Sequence, residues 1–151
     1  MSPQAETPPA RRPSASGASD PAGSAAPTES AEALLPAGEN AAVYATGISL
    51  PLAAPSLAQT EAGSPREGLV PLGRIGAVDV DLWELRTGTV TDVELEEMFV
   101  VLSGNATIEF LDEDRSLVVG AGDVVRLTAG SRTRWTVLDH IRKVAVSLPA
   151  G

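Results

Sequence analysis

The stretch "GTVTDVELEEMFVVLSGNATI", residues 88–108, decides the fold of this chain. It places three carboxylates, Glu94, Glu96 and Glu97, directly before an apolar run that ends at Gly104. An unpaired charge drawn into a protein interior costs on the order of several kcal/mol. These acids therefore either mark a solvated strand end or hold one carboxylate in a cavity, where it contacts a ligand.

The sequence from Gly68 onward predicts β-strands and turns, without helical periodicity. "AVDVDLWEL" alternates valine and leucine with aspartate, which is typical of a half-buried strand, and "MFVVLSG" is typical of a strand buried on both faces. "NATIEFL" places Ala106, Ile108 and Phe110 on one face. The preceding "SGN" predicts a tight hairpin with a positive φ at Gly104.

Four more apolar runs follow, "SLVV", "VVRLT", "RTRWTV" and "IRKVAVSL", separated by the turn signals "GAGD", "AGS" and "LDH". In the last run, Val144, Val146 and Leu148 alternate with other residues. About seven or eight short strands at this spacing predict an all-β sandwich or small barrel.

The N-terminal third has a different composition. Residues 1–40 hold 7 of the 12 prolines and no aromatic residue, so they bury too little apolar surface to offset the entropy of ordering. Residues 40–60 carry no charge, but Pro51 and Pro55 make them a poor membrane span. We expect a disordered Ala/Pro/Ser-rich tail at 1–45, a lead-in segment lying across a sheet at 46–67, and the barrel at 68–151.

Composition excludes several classes of function. The 20 acids against 11 bases give a net charge of −9, which repels phosphate backbones and anionic membranes, so we expect no nucleic acid or membrane partner. The absence of cysteine excludes disulfides and thiolate metal sites, and we expect a cytoplasmic protein. The single histidine, His140, lies in a predicted turn and is interpreted as a surface residue rather than a general base.

Residues 88–108 together with "GAGDVVRLTAGSRTRWTV", residues 120–137, resemble the cupin superfamily. Glu97, six residues and Gly104 resemble the end of the first cupin motif, while Gly122, five residues and "TAG" resemble the second, with Thr128 in place of the usual proline. The likeness spans about residues 69–148 and is greatest to the ureidoglycine aminohydrolase and ethanolamine-utilisation branch. It implies a double-stranded β-helix, or jelly-roll, barrel (the RmlC-like fold).

The resemblance also implies where a metal would bind, and this chain departs from that pattern. The family's H-x-H positions fall on Thr91 and Val93, or on Val90 and Asp92, and the later histidine falls on Thr133. Only Asp92 and Glu97 remain as weak ligand candidates, for Mn²⁺ or Mg²⁺ at most. We therefore predict no tightly bound metal and no other cofactor.

The candidate site follows from strand alternation and the resemblance. Alternation places Glu97 on one face with Val93 and Leu95, which the resemblance turns into the barrel, whereas Glu94 and Glu96 should face solvent. Thr133 and Trp135 share a face and form either a pocket wall or core. The predicted ligand-binding residues are Thr91, Val93, Glu97, Arg126, Thr133 and Trp135.

Arg126 interrupts the apolar run "VVRL" and therefore needs an acidic partner. It either pairs with Asp92, Glu94 or Glu97, or holds a substrate carboxylate. Glu97 is the candidate catalytic residue, as general acid or base.

Three hypotheses remain open. The first is a barrel that binds a small polar metabolite without a tightly bound metal. The second is a hydrolase acting on a small amine, ureide or carboxylate. The third is a structural barrel without a ligand that forms a homodimer.

Overall fold

The computed structural model describes residues 32–150. Within them the chain forms one short 3₁₀ helix, Ala45–Gly47, and otherwise antiparallel strands. The strands are β1 (Thr60–Ala62), β2 (Glu67–Ile75), β3 (Val78–Val93), β4 (Glu97–Phe110), β5 (Arg115–Gly120), β6 (Val124–Leu127) and β7 (Arg132–Ser147). This architecture confirms the predicted all-β jelly-roll barrel.

The three long strands organise the sheet. The strand order is β1-β3-β7-β4-β5, with β2 pairing with β3 and β6 with β4. β7 therefore lies between β3 and β4, hydrogen-bonded to both along most of its length. Side chains that point inward from these three strands meet in the barrel centre.

Two predicted turns are in fact irregular positions inside long strands. The "SGN" segment lies within β4, whose pairing with β7 shifts register between Gly104 and Thr107. The "LDH" segment lies within β7, whose pairing with β3 shifts register between Val137 and His140, the partners of Gly88 and Arg86. Such bulges absorb extra residues and bend a strand without ending it. The positive φ predicted at Gly104 is confirmed at 76°.

The core fills the barrel between the long strands. Ala106, Ile108 and Phe110 are buried as predicted. They pack with a larger apolar cluster: Trp83, Leu85, Val90, Phe99, Val101, Val119, Val125, Leu127, Trp135, Val137, Ile141 and Ala145. The two tryptophans and Phe99 form the centre of this cluster.

The segment before β1 contacts the outer side of the sheet through Arg142. Arg142 donates hydrogen bonds to the carbonyls of Ala45 and Thr46 and pairs with the buried Glu84. The predicted disordered tail falls mostly on residues 1–31, outside the described residues, but Leu35 N donates to Leu72 O at 2.7 Å, so that part of it contacts β2.

Between residues 32 and 150, no helix has the length and apolarity needed to cross a membrane.

Candidate functional site

The barrel centre holds a buried ion pair between Glu97 and Lys143. Glu97 begins β4 and Lys143 lies on the adjacent strand β7. Glu97 is 3% exposed and Lys143 is 0% exposed. The Lys143 ammonium donates a 2.7 Å hydrogen bond to Glu97 Oε2. Glu97 therefore points into the barrel, as expected, while its catalytic role stays a prediction.

Three aromatic rings surround the Lys143 ammonium. Nζ lies 4.1 Å from the ring centroid of Phe99, 4.6 Å from that of Trp83 and 4.8 Å from that of Trp135. The two indoles meet edge to face, with centroids 5.4 Å apart and planes at 72°. A cation within about 6 Å of a ring centroid is attracted by the ring quadrupole. We call the three rings and Glu97 the ammonium cage.

A second buried carboxylate, Glu94, lies beside this cage. Glu94 is 2% exposed. Its Oε2 accepts hydrogen bonds from the Thr133 hydroxyl at 2.5 Å and from the Trp135 indole N–H at 2.9 Å. The expectation that Glu94 faces solvent is therefore wrong. Thr133 and Trp135 do share the inner face and are both buried.

Strand alternation failed here because residues 94–96 are not part of a strand. The backbone of Glu94 instead pairs with the β6–β7 loop, donating to Ser131 O and accepting from Gly130 N. Two-residue alternation therefore cannot be extended from β3 into β4.

The last side chains of β3, which ends just before residues 94–96, also point in directions that differ from the expectation. Asp92 is 5% exposed, whereas Val93 is 42% exposed and lies on the outer face. Thr91 is half-buried and, two residues before Val93 on the same strand, shares its outer face. Thr91 and Val93 are therefore not brought together with Glu97, in contrast to the expectation, and of the two alternative family registers only Val90 and Asp92 point inward.

Arg126 also lies outside the barrel. Its side chain is 61% exposed and pairs with Glu96, not with the three acids considered from the sequence. Glu96 also accepts a 3.0 Å hydrogen bond from Ala129 N. This backbone hydrogen bond, followed by the Arg126 guanidinium, holds the pKa of the Glu96 carboxyl below its ordinary value of 4.5.

The residues at the barrel centre do not fit a metal ion. In the described part of the chain, no group of three or more His, Asp or Glu side chains is arranged to hold one. Glu97, the surviving family ligand, is already bonded to the Lys143 ammonium, and a divalent cation there would be repelled by that charge. The structure therefore gives no basis for a metal-dependent step.

His140 is half-buried on β7 rather than in a turn. Nε2 lies 3.0 Å from Ser103 Oγ, and Nδ1 lies 2.6 Å from Asp139 Oδ2. Ser103, His140 and Asp139 are thus in the order of the nucleophile, base and acid of a catalytic triad. The Asp139 side chain, however, is 86% exposed. An orienting aspartate in hydrolases is buried, so we interpret these contacts as a link between β4 and β7.

The outer side of the sheet carries an apolar groove. Its volume is about 470 Å³, and the Glu96–Arg126 pair lies at its border. We define the outer apolar face by the valine, methionine and leucine residues that line the groove: Val78, Met98, Val100, Val124, Val144, Val146 and Leu148. These residues come from β3, β4, β6 and β7 and the residue after β7, so the face spans four adjacent strands.

Lys143 is the functional candidate that sequence reasoning missed. It is the chain's only lysine, and in "IRKVAVSL" it stands out of phase with the apolar alternation of Val144 and Val146. Val144 and Val146 lie on the outer face of β7. The residues that alternate with them, Lys143 and Ala145, therefore point inward. The signal was the chain's only lysine, which lies next to the apolar alternation of Val144 and Val146 and out of phase with it.

Comparison with known proteins identifies related domains. A family model described as "EutQ-like cupin domain" matches residues 72–145. No curated protein sequence matches the chain.

The chain is also similar to solved structures at low sequence identity. The ethanolamine utilization protein Q of Salmonella typhimurium is 20% identical, with a TM-score of 0.49 over 56% of this chain and 71% of that one. The Clostridium difficile EutQ protein is 20% identical, with a TM-score of 0.51 over 58% and 65%. A Rhizobium leguminosarum protein of unknown function is 15% identical, with a TM-score of 0.50 over 56% and 82%.

Proposed function

Because the chain belongs to the cupin superfamily and carries an EutQ-like cupin domain, we propose that it is a metal-independent assembly module that pairs with a second copy of itself through the outer apolar face. The observation that carries this proposal is the groove of about 470 Å³ on that face. The barrel interior also supports this proposal, because its polar side chains already have partners. Lys143 donates to Glu97 and lies over the Phe99 ring. Thr133 donates to Glu94.

The exposure of the face is what calls for a partner. Val124 is 66% exposed, and Met98, Val146 and Leu148 are 43–45% exposed. Contiguous apolar patches of this kind on a protein surface mark interaction sites. A strip across four strands supplies the apolar centre of an interface, and the Glu96–Arg126 pair supplies part of a polar rim.

Charge favours a second copy as the occupant. The chain carries a net charge of −9, so two copies repel wherever they bring acids together. Two acids line the groove of the outer apolar face, Glu96 and Glu97. Glu96 is neutralised by Arg126, and Glu97 is paired with Lys143. Two copies related by a two-fold axis would therefore meet there through surfaces that are neutral and self-complementary.

Sedimentation velocity of the full chain tests this proposal, using wild type, Val146→Asp and Val118→Asp. Val118 is a matched control because it is also an exposed strand valine, 78% exposed, outside the groove. We expect wild type and Val118→Asp to sediment as dimers and Val146→Asp as a monomer with unchanged circular dichroism. A monomeric wild type at tens of micromolar, or a dimeric Val146→Asp, would overturn the proposal.

A second candidate function is binding of a small polar metabolite in the barrel. It is favoured by the hydrogen-bonding groups gathered beside the cage, Glu94, Thr133 and Trp135. A ligand selective for the native state raises the melting temperature by an amount that grows with the logarithm of its concentration above the dissociation constant. A thermal-shift screen with small carboxylates, ureides and amines would then show a rise in wild type that grows with ligand concentration and is reduced in Thr133→Val. No rise with any compound contradicts this candidate.

A further inference from the structure

We propose that the ammonium cage is a binding site for a primary ammonium ion and that Lys143 is its resident ligand, supplied by the chain itself. This inference concerns the barrel interior and is independent of the self-association proposed above. It assigns a ligand class, a small primary alkylammonium, to a site that the family pattern would give to a metal.

The cage has the chemistry that recognises an ammonium group. Phe99, Trp83 and Trp135 place their rings 4.1, 4.6 and 4.8 Å from Nζ. The planes of Trp83 and Trp135 are inclined at 72° and those of Phe99 and Trp135 at 36°, so the rings approach the cation from different directions. Aromatic cages of this kind bind methylated lysine and choline.

Glu97 adds directional selectivity that rings alone do not provide. Its carboxylate accepts a hydrogen bond from Nζ at 2.7 Å, which requires an N–H donor on the cation. A primary ammonium has three such donors, whereas a quaternary ammonium has none. The site should therefore prefer primary ammonium ions to tetramethylammonium.

Strand pairing explains how the Lys143 side chain reaches the cage. Lys143 lies directly across from Trp83 on β3 and from Val101 on β4, with its side chain turned to the inner face. The residue is 0% exposed, so its aliphatic stem fills the space between the strand and the cage. Replacing it with alanine removes Cγ, Cδ, Cε and Nζ, which together correspond to n-propylammonium.

The test is chemical rescue of Lys143→Ala in the full chain. Melting curves are recorded with n-propylammonium chloride, methylammonium chloride, tetramethylammonium chloride, 1-propanol and sodium chloride. We expect n-propylammonium to raise the melting temperature logarithmically with its concentration, with an apparent affinity at least about tenfold above that of the neutral isostere 1-propanol. Tetramethylammonium chloride should raise the melting temperature no more than sodium chloride does at the same concentration.

Three controls locate the effect in the cage. Wild type should show no specific response to n-propylammonium, because Lys143 occupies the cage. Lys143→Met should show none either, because the methionine side chain fills the same volume. Adding Glu97→Gln to Lys143→Ala should reduce the preference for n-propylammonium over 1-propanol, because the rings alone still attract the cation. Equal rescue by the two compounds, or rescue of wild type, would overturn the proposal.

A second measurement keeps the proposal testable if Lys143→Ala does not fold. Because Lys143 is the only lysine, selective isotope labelling of lysine in wild type gives a single set of side-chain NMR signals. We expect the Cε protons to be shifted upfield by the surrounding rings and the Nζ protons to exchange slowly enough to be observed. Cε proton shifts equal to those of the urea-unfolded chain would overturn the proposal.

Discussion

The indole N–H of Trp135 donates a 2.9 Å hydrogen bond to Glu94 Oε2, which also accepts the Thr133 hydroxyl. One buried carboxylate thus satisfies two donors on β7. The loop that follows β3 is fixed to the barrel interior by this arrangement.

Removing this acceptor should destabilise the fold. Glu94→Ala leaves the Trp135 and Thr133 donors without their acceptor, and each unsatisfied buried group costs about 1–3 kcal/mol. Glu94→Gln keeps a carbonyl oxygen and should lose less. Urea unfolding followed by tryptophan fluorescence measures both, with the exposed Glu113→Ala as control. If Glu94→Ala unfolds with the same midpoint as this control, the proposed role of the carboxylate is wrong.

The Glu97–Lys143 pair should behave as a coupled unit. Breaking a buried ion pair by removing one partner costs about 3–5 kcal/mol, because the other charge stays buried without compensation. We therefore expect Glu97→Met and Lys143→Met each to lower the free energy of unfolding by about that amount, and the double variant by less than the sum. A double-mutant cycle from urea titrations measures the coupling. Additive effects would show that the two side chains act independently.

Glycine positions and strand composition were enough to predict an all-β sandwich or small barrel, because turns and β-branched runs are local signals. The cupin resemblance was needed to choose the jelly-roll barrel. The site was harder to predict. Glu97 was placed inward correctly, but Val93 was placed with it wrongly, since the non-strand residues 94–96 interrupt the alternation on which both inferences rested.

Lys143 was missed for a different physical reason. Hydrophobic alternation identifies the apolar face of a strand, and it is used as a guide to the inner face. On β7 the outer face carries Val144 and Val146, while the inner face carries Lys143 opposite three aromatic rings. Only the packing of three strands together shows that the polar side points inward.

Gly104 should be essential for the close approach of β4 and β7. It has φ of +76°, and a Cβ there would lie 1.9 Å from the His140 carbonyl oxygen. Gly104→Ala must therefore move backbone as well as adopt an unfavourable φ, and we expect a loss above the roughly 1–2 kcal/mol of the left-handed conformation alone. Gly122→Ala is the matched control, because its φ is also positive, +95°, and its Cβ meets open space. Equal losses of thermal stability in the two variants would contradict this steric explanation.

The Glu96 contacts should give the fold a defined acid dependence. Because the Ala129 N–H and then Arg126 hold the pKa of the Glu96 carboxyl below 4.5 in the folded protein, the stabilisation is fully present above pH 4.5 and is lost as the pH falls through the lowered value. The melting-temperature difference between wild type and Glu96→Gln should therefore be constant from pH 7 to 5 and shrink below 4.5. Arg126→Met removes only the second cause and should retain part of this dependence. A difference that stays constant down to pH 3 would show that the carboxylate contributes nothing through its charge.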